Sequence, residues 1–126
     1  MDYDTNMKVL VVDDFTTMRH IVRKFLIQLG FKNIVEADDG STAVDLLKNE
    51  KVDLIISDWN MPKMTGLELL QYVRAEADIA DIPFVMVTAE AQQDDINLAV
   101  KAKVSQYIVK PFTAERLGKK LEKIFN

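Results

Sequence analysis

The chain has 126 residues, 48% hydrophobic and 29% charged, with a formal net charge of -4, the size and balance of one domain that buries a core unaided. It contains no cysteine and a single histidine, His20, which excludes disulfides, thiolate catalysis, Cys-ligated zinc or iron–sulfur centres and His-rich metal sites. The negative balance without a dense Lys/Arg patch argues against nucleic acid. The acidic start "MDYDTN" is not a signal peptide and no apolar run approaches the roughly 20 residues of a membrane span, so the expectation is a cytoplasmic protein with no membrane contact.

In chain order, the first apolar run is Lys8–Val12, a buried strand that ends on two adjacent acids, Asp13 and Asp14. A helical pattern starts at Phe15: Phe15, Met18, Val22, Phe25, Leu26 and Leu29 recur at steps of three and four, one apolar stripe. Gly30 follows where a left-handed cap is common. Further strands are predicted at Asn33–Glu36, Val52–Ser57, Phe84–Thr88 and Gln106–Val109. Further helices are predicted at about 41–49, 66–75, 91–101 and 113–125. Ala114, Leu117, Leu121 and Ile124 give the last helix its inner face, while a mid-helix Gly118 costs it roughly 1 kcal/mol against Ala.

The pattern is β-α repeated five times over residues 1–126, with no linker and no second domain. Near-continuous apolar strands joined by helices imply an α/β fold, a parallel sheet covered on both faces. Right-handed crossovers make it doubly wound. At five strands the flavodoxin-like order 2-1-3-4-5 is the natural choice.

In such sheets ligands bind beyond the carboxyl ends of the strands, near the switch point. This chain places Asp13 and Asp14 after the first strand, Asp58 after the third, Thr88 at the end of the fourth and Lys110 after the fifth. Three carboxylates in one pocket resist joint ionisation. A divalent cation removes the conflict, and all-oxygen ligands suit Mg²⁺ or Mn²⁺. A hydroxyl and an ammonium across the pocket are what phosphoryl oxygens need. Asp58, on the central strand, is then the candidate nucleophile, forming an aspartyl-phosphate. Taken singly, Asp14 reads equally as a helix N-cap, Asp58 as a turn residue in "DWNMP", Thr88 as a cap and Lys110 as a solvated strand end. Convergence on one sheet edge favours a site.

The stretches "VVDDFTTMR", "SDWNMPKMTGLELL", "VMVTAEA" and "QYIVKPFT" resemble the receiver domains of bacterial two-component response regulators, in particular the stand-alone chemotaxis receivers of CheY type, over about Met7 to Phe125. The resemblance implies a single response regulatory domain with Asp58 as phosphoacceptor. It implies Mg²⁺ bound directly by Asp14, Asp58 and the backbone carbonyl of Asn60, with Asp13 acting mainly through a metal-bound water. It further implies Lys110 and Thr88 on phosphoryl oxygens, a cis Lys110–Pro111 peptide, Asn60 and Glu90 tuning hydrolysis, and Tyr107 swinging inward when Thr88 moves. Trp59 becomes a fluorescent neighbour of the metal. The implied partners are a CheA-type histidine kinase, the flagellar switch protein FliM on the surface of the fourth helix, fifth strand and fifth helix, and a phosphatase such as CheZ. The implied protein is a monomer, catalysing nothing beyond its own phosphorylation and dephosphorylation.

Two departures qualify the resemblance. Such receivers usually carry glycine in the turn before the fifth strand, where this chain has Lys103. The fourth helix starts "AQQDDIN", acidic where enteric-type relatives have a basic pair. A phosphate sink or adaptor therefore stands beside motor binding as the output. Two other classes compete. An Asp-nucleophile phosphatase of haloacid dehalogenase type needs Asp-x-Asp after the first strand, where this chain has Asp-Asp-Phe. An FMN-binding flavodoxin needs a Ser/Thr/Gly-rich loop where two acids sit.

Overall fold

The computed structural model describes residues 3–89 and 92–125. Strands and helices alternate: β1 (Lys8–Val12), α1 (Thr16–Gln28), β2 (Asn33–Ala37), α2 (Gly40–Asn49), β3 (Leu54–Asp58), α3 (Gly66–Ala75), β4 (Phe84–Thr88), α4 (Gln93–Lys101), β5 (Gln106–Val109) and α5 (Ala114–Phe125). All neighbours pair in parallel, in the order β2-β1-β3-β4-β5. The predicted doubly wound architecture is the one observed.

Alternation along the strands divides the core into two layers. Val9, Val11, Leu54 and Ile56 face α1 and α5, packing with Val22, Leu26, Leu117 and Leu121. Leu10, Val12, Ile55 and Met86 face the other way, onto Ala43, Leu47, Leu69 and Val73. The central strands are buried on both faces, which is why their sequences are unbroken apolar runs. Gly118 has a packing reason: a Cβ there would lie 3.0 Å from a Leu29 methyl group, so the glycine lets α5 approach α1.

Several predicted boundaries shift. β3 starts two residues later than predicted and takes in Asp58 as its last residue, and β2 extends to Ala37. α2 starts at Gly40, because Asp39 accepts from the Thr42 N–H and caps it. α4 and α5 start two residues and one residue later than predicted. The α1 stripe begins one turn later than the apolar spacing suggests. Asp13 Oδ1 accepts from the Phe15 N–H at 2.9 Å, and Phe15 is the extended N-cap residue, 68% exposed. Met61, in the loop after β3, is buried in the second core layer.

Two helices end alike. Gly30 donates to the Ile27 carbonyl and Phe31 to that of Leu26; Lys103 donates to Val100 and Val104 to Ala99, all at 3.0 Å. Both are Schellman caps, which need a left-handed residue. Gly30 supplies it at φ 103°, but α4 uses Lys103 at φ 68°. A side chain costs roughly 1–2 kcal/mol in that conformation, partly offset because glycine loses more freedom on folding. Arg74 Nε donates to the Lys103 carbonyl at 3.0 Å and braces the turn. Lys103→Gly is expected to raise unfolding free energy by about 0.5–1 kcal/mol, read from a urea denaturation midpoint; a lower midpoint would contradict the strain argument.

Candidate functional site

Parallel register brings the predicted residues together. Asp13 lies one residue past β1, Asp58 and Thr88 end β3 and β4, and Lys110 lies one residue past β5. The ladder runs on beyond the paired residues: Trp59 N donates to the Val87 carbonyl at 2.9 Å and Lys110 N to the Thr88 carbonyl at 2.8 Å. The strand ends, and the side chains they carry, are thus fixed by backbone hydrogen bonds on rigid elements.

Asp13 and Asp58 are 3% and 7% exposed, and Asp14 is exposed. One carboxylate oxygen from each of the three lies within 4.8 Å of the others. Lys110 Nζ stands 2.9 Å from Asp58 Oδ1 and 3.8 Å from Asp13 Oδ2. Burial pushes the Asp13 carboxyl above its ordinary range, opposed by the Phe15 N–H; the Asp58 charge raises it further, Lys110 lowers it and Asp14 raises it. Three acids against one ammonium leave an excess of negative charge at this edge of the sheet. An all-oxygen donor set fits a hard divalent cation.

The loop after β3 is built around close backbone approaches. Ser57 Oγ donates to the Asp58 carbonyl at 3.0 Å, and Gly66 N to the Trp59 carbonyl at 2.8 Å. A Cβ on Gly66 would meet the Asp58 carbonyl oxygen at 2.3 Å, so only glycine lets α3 start against this loop. Thr65 and Glu68 form a reciprocal capping box there. The pattern T-x-x-E in "TGLE", which the sequence reading did not use, is the signature of such a helix start. The α1 alternative for Asp14 does not hold: Phe15 takes the N-cap position, with no side-chain cap.

Thr88 is half-buried and, with Trp59, Asn60, Ala89 and Asp95, lines a cleft of about 320 Å³. A small cavity behind it is walled by Trp59, Met86, Thr88, Asp95, Ile96, Ala99 and Tyr107. Tyr107 is half-buried against the second core layer, with Lys120 Nζ 5.3 Å from its ring centre. Asn60 is exposed beside the cleft, and Lys110–Pro111 is cis. Glu90 lies outside the described residues. Arg19, which sequence reasoning passed over, reaches the Asp13 loop while paired with Glu36: its Nη1 donates to the Asp13 carbonyl at 2.8 Å. A larger cleft, about 630 Å³, lies at the opposite ends of β3 and β4 and contains none of the predicted residues.

The response regulator receiver domain family matches residues 9–122. A chemotaxis protein CheY of Pseudomonas aeruginosa is 53% identical over 119 residues, covering 94% of this chain and 96% of that protein. The chemotaxis protein CheY-3 of Vibrio cholerae is 52% identical over 120 residues, covering 95% and 92%. Among solved structures, the Vibrio cholerae chemotaxis protein CheY4 superposes with a TM-score of 0.88 at 34% identity, covering 94% and 98% of the two chains. The receiver domain of the Pseudomonas aeruginosa sensor histidine kinase PA1611, solved with a magnesium ion coordinated in its active-site cleft, gives 0.85 at 25% identity, covering 95% and 98%.

The raised Asp13 carboxyl has a consequence for the metal-free protein. An acid whose folded pKa lies above its unfolded value stabilises the fold at low pH and loses that contribution as pH rises through the folded value. Asp13→Asn keeps an acceptor for the Phe15 N–H and removes the charge. In chelator at neutral pH this variant is expected to be more stable than wild type, on the order of 1 kcal/mol. The gain should vanish below the ordinary carboxylate range. Thermal unfolding across pH measures it; a variant less stable at neutral pH would contradict the crowding.

Proposed function

The chain belongs to the response regulator receiver domain family, and from that premise we propose that it is a chemotaxis response regulator that accepts a phosphoryl group on Asp58 from a CheA-type histidine kinase. The observation that carries this reading is Lys110 Nζ at 2.9 Å from Asp58 Oδ1 in a pocket shared with Asp13 and Asp14. Asp58, Asp14 and the carbonyl of Asn60 would hold Mg²⁺, with Asp13 supporting it through a water. The cation, when bound, neutralises charge on the acids and the incoming phosphoryl group.

In the transfer, an oxygen of the Asp58 carboxylate forms the new P–O bond as the P–N bond to the kinase imidazole breaks, and the electron pair leaves with the imidazole. Lys110 then moves its hydrogen bonds onto a phosphoryl oxygen, and the Thr88 hydroxyl donates to another. The acts of the chain are positioning and charge neutralisation, the main requirements of phosphoryl transfer. It turns over no separate substrate. Its only chemistry is its own phosphorylation and its dephosphorylation, which Asn60 and Glu90 tune and a phosphatase such as CheZ accelerates.

The output is a two-state switch. Thr88 drawn toward the phosphoryl group vacates part of the wall it shares with Tyr107. The tyrosine follows inward and re-forms the surface of α4, β5 and α5 for a protein partner, first of all FliM. A second reading, phosphate sink or adaptor, is favoured by one observation: the first turn of α4 carries Asp94 and Asp95. The protein acts in the cytoplasm as a monomer, and no helix among the described residues is long and apolar enough to cross a membrane.

Phosphorylated protein is expected to bind FliM roughly 5–150-fold more tightly than unphosphorylated protein, measured by fluorescence polarisation. Equal affinities would rule out the motor output and leave the sink or adaptor. Lys110→Ala should still bind Mg²⁺ yet show no phosphorylation-dependent gain in binding; an intact gain would remove Lys110 from the switch.

A further inference from the structure

Besides its ion pair with Lys110, Asp13 makes three hydrogen bonds. Its N–H reaches the Ala37 carbonyl at 3.2 Å, its side chain takes the Phe15 N–H, and its carbonyl receives Arg19 Nη1 at 2.8 Å. The third contact differs in kind. That carbonyl belongs to the peptide unit joining Asp13 to Asp14, so its orientation sets the direction in which the exposed Asp14 side chain leaves the backbone.

The guanidinium making this contact is itself fixed. Arg19 Nε donates to Glu36 Oε1 at 2.9 Å, and the two side chains are 14% and 24% exposed. Arg23 Nη1 holds the other Glu36 oxygen at 3.2 Å. Glu36 pairs in register with Val11, two residues before Asp13. The planar fork of arginine serves both directions at once, a carboxylate on one donor and a carbonyl on another, which an ammonium on a flexible stem does not reproduce.

We propose that Arg19, anchored by Glu36, is a positioning residue that orients the Asp13–Asp14 peptide for divalent cation binding. The proposal rests on the metal reading above. Its physical signature is a sign. A positive charge beside a cation site repels the cation, so if charge were all that Arg19 contributed, its removal would tighten binding. A residue that positions the ligands does the reverse, and supporting groups around metal ligands typically carry 10–100-fold in affinity.

The test is a Mg²⁺ titration of metal-free protein, followed by Trp59 fluorescence, on wild type, Arg19→Lys, Arg19→Met and Glu36→Gln. Arg19→Lys keeps the charge and the aliphatic stem and loses the fork, so it reports positioning even if Arg19→Met folds poorly. Both Arg19 variants are expected to raise the Mg²⁺ Kd about tenfold, with Glu36→Gln moving it in the same direction. Arg19→Lys at wild-type affinity, or Arg19→Met binding more tightly than wild type, would overturn the proposal while leaving the metal site standing. Wild type with no Mg²⁺ response would overturn the metal reading, and this proposal with it.

Discussion

Three carboxylates cluster at the carboxyl edge of the sheet with one ammonium, paired to two of them, and much of the local structure is arranged around that imbalance. Asp13 and Asp58 are nearly buried, where an unpaired charge is costly. Lys110 offsets part of that cost by lying between them. A folded domain does not keep such a cluster for stability, since like charges in a low dielectric oppose folding. The cluster is compatible with a divalent cation site, where positive charge would relieve the repulsion. Strain accepted at a functional edge and balanced by a well-packed core elsewhere is a common economy.

The scaffold explains how the imbalance is tolerated. β1 and β3 are central, buried on both faces and hydrogen-bonded on both sides. Their ends therefore cannot drift apart to relieve repulsion. Gly66 brings α3 against the Asp58 carbonyl, and the Ser57 hydroxyl holds the same carbonyl. Arg19 grips the carbonyl between the two acids of the β1 loop. Backbone contacts carry the placement, which leaves the carboxylates free to change partners. The cleft and small cavity by Thr88 and Tyr107 lie next to this rigid edge.

The architecture was legible because two periodicities alternate cleanly: β-branched apolar runs of about five residues, and stripes at three and four. The positions of Asp13, Asp14, Asp58, Thr88 and Lys110 followed from the topology, since strand ends in a parallel sheet share an edge. Boundaries were less legible, because side-chain caps decide them. Asp39 draws α2 back to Gly40, and Phe15, whose N–H bonds Asp13, stands at the N-cap of α1. Phe15 fits the apolar stripe by spacing yet faces solvent, since periodicity carries no information about the turn that precedes it. Arg19 was invisible for a related reason: its spacing suits an ordinary polar position, and its partner Glu36 is seventeen residues away on another element. Lys103 was flagged by a missing glycine, and its φ of 68° bears that concern out.

The central claim is that Asp58 takes a phosphoryl group in a cation-dependent reaction. Intact-protein mass after incubation with acetyl phosphate tests it most directly, with and without Mg²⁺, on wild type and Asp58→Asn. The account predicts the mass of one added phosphoryl group in wild type with Mg²⁺, and none without the cation or in the variant. A gain of the same size in Asp58→Asn, or no gain in wild type under either condition, would contradict it.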